Sequence, residues 1–163
     1  MIGQETFTAQ NPGASSKLLG GVGGVAYAND MLFVADSNRL NATPLNNRAL
    51  IYKNISQKFP GPLDELPQTS RCPVCVGEAD VVLGQKTMED HELVEPPAAD
   101  TLRVPIGIAS DGVRLAIADT DNNRVLIWNS IPAVNGQPAD VVLGQSSFTA
   151  NASNGFSPTA QSL

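Results

Sequence analysis

The hydrophobic pattern in the second half of the chain predicts four short β-strands. The apolar runs are rich in Val, Ile and Leu, and turn-forming Asp-Gly, Asn-Asn and Asn-Gly pairs separate them. The predicted strands cover residues 105–110, 113–119, 124–129 and 139–145. Asp111-Gly112 favours a two-residue hairpin turn between the first two. No stretch keeps a helical period, so the chain is predicted to be nearly all β.

The same pattern occurs twice along the chain. The matching segments are the identical heptapeptide ADVVLGQ at 79–85 and 139–145, then 24–36 with 107–119, and 46–55 with 122–131. The order is preserved, but the first copy is longer because it carries insertions at 37–45 and 58–75. The sequence therefore predicts a duplicated structural unit with fixed strands and variable loops.

The second hairpin of the later copy has a register that follows from its loop. If residues 120–123 form a four-residue connection, Asp119 faces Arg124, Ile117 faces Leu126 and Leu115 faces Trp128. The opposite face then carries other apolar side chains, namely Ala116, Ala118, Val125 and Ile127. Apolar residues on both faces predict a sheet that is covered on both sides.

The string PIGIASDGVRLAIADTDNNRVLIW at 105–128 resembles the NHL repeat. The first copy fits less closely, because it lacks the Pro before Gly24 and an insertion separates Asp36 from Asn46. The following heptapeptide is similar to a tail found in large bacterial NHL-repeat proteins. The resemblance implies an all-β fold of four-stranded antiparallel blades, with two complete blades from a β-propeller of about six. It is specific for fold and not for function.

The resemblance also divides the chain, because GQETFTA at 3–9 is similar to GQSSFTA at 144–150. The expected parts are the tail of a preceding blade at 1–9, a first blade at about 20–85, a second blade at about 104–145 and the lead-in to a further blade at 146–163. A partial propeller would leave apolar faces open. We therefore expect either a fragment of a longer protein or self-association, with three copies of two blades as a closed arrangement.

Composition narrows the possible partners. The 163 residues are 42% apolar, enough for a core, and carry a net charge of −6 with a pI near 4.6. This acidity argues against nucleic acid, whose binding needs Lys and Arg. The apolar runs are too short to span a membrane, and the N-terminus lacks the features of a signal peptide. Low Lys content and many Asn, Thr and Ser residues nevertheless favour an extracellular or periplasmic bacterial protein.

Two charged pairs recur in the repeat, Asp36 with Arg48 and Asp119 with Arg124. They could surround a central ligand, but we favour cross-strand ion pairs that hold a hairpin, worth about 0.2–1 kcal/mol if exposed. The neighbouring asparagines are predicted to be turn residues whose amides bond the local backbone. These are Asn46, Asn47, Asn122 and Asn123.

Cys72 and Cys75 form a Cys-Pro-Val-Cys motif in the second insertion. The favoured interpretation is a small disulfide loop in an oxidising compartment, ahead of free thiols and then of a metal site. Zinc would need two more ligands, and His91 is the one histidine in the chain. A redox role would need a helix after the pair, which an all-β chain does not provide.

Two other clusters have simple structural interpretations. The acidic residues around His91, which are Glu89, Asp90, Glu92 and Glu95, could attract a cation but are typical of a solvated loop. Residues 20–24 are Gly-rich but precede a predicted strand, so they are expected to be a flexible lead-in rather than a phosphate-binding loop.

The sequence thus predicts a non-catalytic scaffold that binds a protein or small ligand through its loops, with insertions 37–45 and 58–75 as the candidate surfaces. No cofactor is predicted. The alternative is part of a metal-dependent six-bladed propeller enzyme, resembling amidating lyases or gluconolactonases, with calcium or zinc in a central channel and with site residues that lie largely in blades outside this sequence. A third hypothesis is a redox accessory that uses the cysteine pair.

Overall fold

A computed structural model of the chain describes residues 1–4, 10–37, 43, 45–63 and 77–153. This part of the chain contains eight β-strands and two short 3-10 turns, and no α-helix. The strands are β1 (Val22–Ala28), β2 (Met31–Asp36), β3 (Arg48–Tyr52), β4 (Val81–Leu83), β5 (Pro105–Ser110), β6 (Leu115–Asp119), β7 (Arg124–Trp128) and β8 (Val141–Leu143). The prediction of an all-β fold is confirmed. No helix within the described ranges has the length and apolar character to cross a membrane.

The strands form two antiparallel sheets of four, and neighbours in each sheet follow the order of the chain. We call β1–β4 the first unit and β5–β8 the second unit. The predicted register of the second hairpin is the observed one, since Asp119 pairs with Arg124 and Leu115 with Trp128. Asp36 pairs with Arg48 in the same way in the first unit.

The first hairpin turns differ between the units. In the first unit, Asn29 and Asp30 form a two-residue turn with φ angles of 48° and 57°. The prediction of the same turn at Asp111-Gly112 is wrong, because the β5–β6 ladder ends at the pair Ser110 and Leu115. The reason is local: Asp111 Oδ1 accepts hydrogen bonds from the amides of Val113 (2.9 Å) and Arg114 (2.6 Å), which widen the turn.

The main hydrophobic core lies between the two sheets. Phe33, Ile51 and Leu83 of the first unit are buried in one cluster with Leu126 and Trp128 of the second. A second cluster covers the opposite face of the first unit, where Val34, Leu50, Tyr52 and Val82 are buried with Leu19. The first unit is therefore covered on both faces over much of its area.

The second unit has one buried face and one face that is partly to fully exposed. Every residue of β3 and β4 is buried, whereas burial alternates along β6 and β7, and both ends of β8 are exposed. The prediction of two covered faces therefore does not hold for this unit. Its uncovered side, which we call the open face, consists of Gly107, Ala109, Ala116, Ala118, Val125, Ile127, Val141 and Leu143.

The Gly-rich segment is not simply a flexible lead-in. Gly23 and Gly24 belong to β1 and lie directly against the backbone of β5; Gly24 pairs with Ala35 of β2, and Gly23 lies at a break in the register. A Cβ on Gly24 would lie 2.5 Å from the carbonyl oxygen of Ile106, closer than real contacts allow. Glycine is needed here because the first strands of the two units approach each other backbone to backbone.

The first residues of the chain repeat a contact that joins the two units. Gly84, just after β4, forms a parallel bridge with Thr101 in the lead-in to the second unit. Gly3 forms the same bridge with Leu18 in the lead-in to the first unit, and its carbonyl accepts the amide of Leu19 at 3.1 Å. Residues 1–4 thus lie on the first unit as residues 82–85 lie on the second.

Candidate functional site

The recurrent charged pair of the first unit is a fully buried hydrogen-bonded cluster. Arg48 Nε donates to Asp36 Oδ2 at 2.9 Å, and both side chains have 0% exposure. Asn46 Nδ2 donates to the same oxygen at 2.8 Å, while Oδ1 accepts the amides of Gly20 and Gly21 at 2.9 and 3.0 Å. The carboxylate therefore receives four hydrogen bonds from the protein.

The second unit builds the same cluster at equivalent positions. Arg124 Nε and Asn122 Nδ2 donate to Asp119 Oδ2 at 2.7 and 2.9 Å. The amide of Arg103, which follows the lead-in as Gly20 does in the first unit, donates to Oδ1 at 2.6 Å. Burial raises the pKa of the Asp119 carboxyl above its ordinary value, against the opposing effect of these hydrogen bonds.

The two arginines connect each sheet to the chain on either side of it. Arg48 donates through Nη2 to the carbonyl of Leu18 at 2.7 Å and through Nη1 to the carbonyl of Met88. Arg124 donates to the equivalent carbonyls of Thr101, at 2.9 Å, and Phe148. Each guanidinium thus fixes the lead-in before its unit and the segment after it.

These clusters support the structural interpretation of the charged pairs, although their surroundings differ from an exposed ion pair. A buried pair held by several further hydrogen bonds has a fixed geometry, and breaking it leaves an unpaired buried charge. The carboxylate and guanidinium groups take their further partners from the chain segments before and after each sheet. The arrangement connects chain segments and presents no acid, base or nucleophile to a substrate.

The asparagines of the repeat reach further than the predicted local turns. Asn47 Nδ2 bonds the nearby carbonyl of Leu45, but its Oδ1 accepts the amide of Val104 in the second unit at 3.0 Å. Asn123 Nδ2 donates to the carbonyl of Asn151 at 3.0 Å, beyond its own unit. Both asparagines have φ near 50°, which Asn adopts more readily than most residues.

The duplicated heptapeptide has the same backbone role in both units. Asp80 and Asp140 accept the amides of Lys53 and Asn129 at 2.6 and 2.7 Å, which closes the third strand onto the fourth. The glycines that follow the strand, Gly84 and Gly144, have φ of 85° and 88°, a conformation that favours glycine. The identical letters therefore reflect equivalent hydrogen bonds of the Asp and nearly equal backbone angles of the Gly.

Gln is the last residue of the heptapeptide, and sequence reasoning assigned it no role. Gln85 Nε2 donates to the carbonyl of Glu92 at 2.9 Å, and Gln145 Nε2 donates to the carbonyl of Ala152 at 2.9 Å. Gln4 makes the equivalent bond to the carbonyl of Asn11 at 3.0 Å. The signal was present, because GQ occurs at all three positions, but the sequence does not show that Gln closes the loop after it.

Other candidate residues are not brought together. Cys72 and Cys75 lie outside the described residues. His91 Nδ1 contacts the carbonyl of Glu89 at 3.2 Å, and Asp90 Oδ2 accepts the amide of Thr87, as in an ordinary exposed loop. Within the described ranges, no three His, Cys, Asp or Glu side chains are placed to hold a metal ion. The calcium or zinc of the enzyme hypothesis therefore has no ligand set there.

Comparison with known proteins adds no relative. No protein-family model matches the chain, and neither the curated proteins nor the solved structures contain a significant match. The NHL resemblance therefore depends on the sequence of the repeat itself.

Proposed function

We propose that the chain is a non-catalytic module of an NHL-type β-propeller, in which two blades form a rigid scaffold for binding a protein or a small ligand. The observation that carries this proposal is the pair of buried Asp-Asn-Arg clusters. They use the recurrent charged groups to fix the sheets and their connections, and so support a structural role for them. Recognition on a rigid scaffold usually resides in its loops.

The strand order separates the two insertions. Insertion 37–45 joins β2 to β3, and insertion 58–75 lies between β3 and β4. In an antiparallel sheet consecutive connections leave from opposite ends, so these insertions do not form one surface. The β3–β4 end is the better binding surface, because its connection is the longer and exposes the apolar side chains of Phe59 and Leu63.

The described part of this connection is anchored to the sheet. The carboxylate of Asp30, in the β1–β2 turn, accepts the amide and the hydroxyl of Ser56 at 2.9 and 2.7 Å. Lys58 Nζ donates to Asp80 at 2.9 Å just before β4. The start of the connection is therefore held while Phe59 and Leu63 face solvent, which suits a surface that contacts a partner.

A loop exchange tests the proposal with a control from the same chain. Residues 53–80 are replaced by the shorter equivalent connection of the second unit, 129–140, and in a separate variant 37–47 are replaced by 120–123. Partners are identified by cross-linking and mass spectrometry with the intact chain as reference. We expect the first exchange to abolish binding and the second to preserve it. If both variants fold, by circular dichroism, and retain every partner, the proposal is wrong.

A further inference from the structure

The open face of the second unit is exposed where the equivalent face of the first unit is buried. Phe33, Ile51 and Leu83 of the first unit have 0% exposure. The residues at the same repeat positions in the second unit are Ala116 and Ile127, which are partly exposed, and Leu143, which is 49% exposed. The repeat therefore identifies a face that the second unit shares with the first but does not cover.

The contact between the units shows what kind of surface covers such a face. On its first three strands the first unit contributes the small residues Ala26 and Ala49 to this contact, beside the large Phe33 and Ile51, and the second unit contributes Leu115 and Trp128 to the same cluster. The open face is again rich in small residues, namely Gly107, Ala109, Ala116 and Ala118. Its complement is a sheet face with large apolar side chains.

This chain carries such a face at its other end. The outer side of the first unit bears Val25 and Tyr27 on β1, which are 62% and 63% exposed, next to Leu32 on β2. Val25 occupies the repeat position of Ile108, which packs in the core between the two units. On β2–β4 of this side Val34, Leu50, Tyr52 and Val82 are already buried, so the exposed large residues lie along β1. Each copy thus offers the open face at one end and the exposed residues of β1 at the other.

The glycines in β1 and β5, the first strand of each unit, are consistent with this contact between faces. Gly24 allows the backbone of β5 to approach β1, and a Cβ there would collide with Ile106. Gly107 is its repeat equivalent on the open face, and a Cβ there would meet only the side chain of Ala118, at 3.2 Å. The open face therefore keeps space for the backbone of another first strand.

We infer that the open face binds the outer side of the first unit in a second copy of this chain, head to tail. The contact repeats the one between the units, with β1 of the second copy against β5 and β6. It joins two different surfaces, so further copies can add until a ring closes. The inference concerns the sheet faces and does not depend on ligand binding by the loops.

Residues 1–4 occupy part of the surface that the second copy needs. Ile2 packs against the cluster on the outer side of the first unit, at the place that Leu83 takes between the units. Leu143 of a docked copy would require that place. The N-terminal residues therefore compete with the contact, and weakening their hold should strengthen association.

Analytical ultracentrifugation of the 163-residue chain over a range of concentrations tests the inference. Ala109→Lys places a charge on the open face, and Val25→Lys places one on the outer side, both at exposed positions. Leu93→Lys, at an exposed site outside both surfaces, is the control. We expect the intact chain and the control to associate, and each face variant to associate at least about tenfold more weakly.

Mixing the open-face variant with the outer-side variant distinguishes the head-to-tail contact from a symmetric contact between identical faces. A mixture of Ala109→Lys and Val25→Lys has one intact pair of faces and should form dimers but nothing larger. Ile2→Lys should associate more tightly than the intact chain. The inference is overturned if the intact chain stays monomeric, if Val25→Lys associates normally, or if the mixture or Ile2→Lys shows no gain.

Circular dichroism decides whether each variant is folded. If Ala109→Lys is not, Gly107→Ala replaces it in both experiments, because it adds a single methyl group where the second copy's backbone would lie. Association of Gly107→Ala equal to that of the intact chain would also contradict the inference.

Discussion

Arg124 donates hydrogen bonds to a carboxylate and to main-chain carbonyls from two segments of the chain outside its own sheet. A planar guanidinium can do this because its donors point in fixed, diverging directions. The same geometry recurs at Arg48 with Leu18 and Met88. At the residue scale, the two units share the same arrangement of hydrogen-bond donors and acceptors around one buried ion pair in each unit.

Removing one such arginine should destabilise the fold strongly. In Arg124→Ala, Asp119 stays buried without its cation, and we expect the free energy of unfolding to fall by about 3–5 kcal/mol. Urea unfolding followed by circular dichroism measures the change. Arg114→Ala is the control, since its ion pair with Asp111 is largely exposed and should contribute little. Equal losses in the two variants would contradict the role assigned to the buried cluster.

Tyr52 carries a buried hydroxyl that makes no hydrogen bond within the described part of the chain. Burial raises the pKa of this phenol well above its usual range, so it stays protonated. Because the hydroxyl is desolvated without a partner, Tyr52→Phe should leave the free energy of unfolding unchanged or raise it by up to about 1 kcal/mol. Thermal unfolding measures this, and a clear loss of stability would show that the hydroxyl has a partner.

Trp128 is the matched contrast, because it occupies the same repeat position and its Nε1 donates to the carbonyl of Gln137 at 2.9 Å. Trp128→Phe removes this bond and a buried ring, so it should be destabilising.

Pairing between strands was the best-predicted feature at the scale of elements. The facing residues of β6 and β7 follow from the length of the loop between them, which is a property of the local sequence. The first turn of the second unit was predicted less well, because the side chain of Asp111 competes with the backbone for the amides of the turn. Propensity for an Asp-Gly turn does not include that competition.

Acid should weaken this turn. Hydrogen bonds from the amides of Arg114 and Val113 hold the pKa of Asp111 below its ordinary value of 3.8. A carboxyl whose pKa is lowered on folding contributes stability above its unfolded pKa, and this contribution is lost as the pH falls through the folded pKa. Unfolding midpoints measured between pH 6 and about pH 2 should therefore fall less steeply below about pH 4 in Asp111→Ala than in the intact chain.

The close approach of β1 and β5 gives a second test at this scale. Gly24→Ala places a methyl group 2.5 Å from the carbonyl oxygen of Ile106, so the backbone must shift. We expect a loss of about 1–3 kcal/mol. Gly107→Ala, at the same repeat position, meets only the Ala118 side chain and should cost less in the monomer. Chemical denaturation at low protein concentration compares them, and equal losses would argue against a backbone-to-backbone contact of the two strands.

Across the whole molecule, burial decreases from the first unit to the second. β3 and β4 are buried on both faces, while β7 and β8 have one face against the core and one against solvent. Local opening is favoured where few apolar contacts hold a strand. The two sheets therefore have the same strand order, but the first is better protected from solvent than the second.

Amide hydrogen exchange should show this inequality. We expect Ala49–Tyr52 to exchange more slowly than Val125–Trp128, although the two segments occupy equivalent places in the repeat. Mass spectrometry of peptides from each segment measures the rates in dilute protein. If a second copy covers the open face, the difference should shrink as concentration rises, and faster exchange in the first unit would contradict the burial pattern.

The amino-acid sequence by itself determined the approximate positions of the strands, the register of the β6–β7 hairpin and the duplication, because loop length, turn residues and an identical heptapeptide are local signals. It also singled out the Asp, Asn and Arg residues of the buried clusters. Only the tertiary structure decided that these groups connect segments distant in the chain, that glycine in β1 admits a neighbouring backbone, and that one sheet keeps an open face. Those features depend on which surfaces meet in space. The two units have nearly the same sequence pattern and still differ in which of their faces is covered.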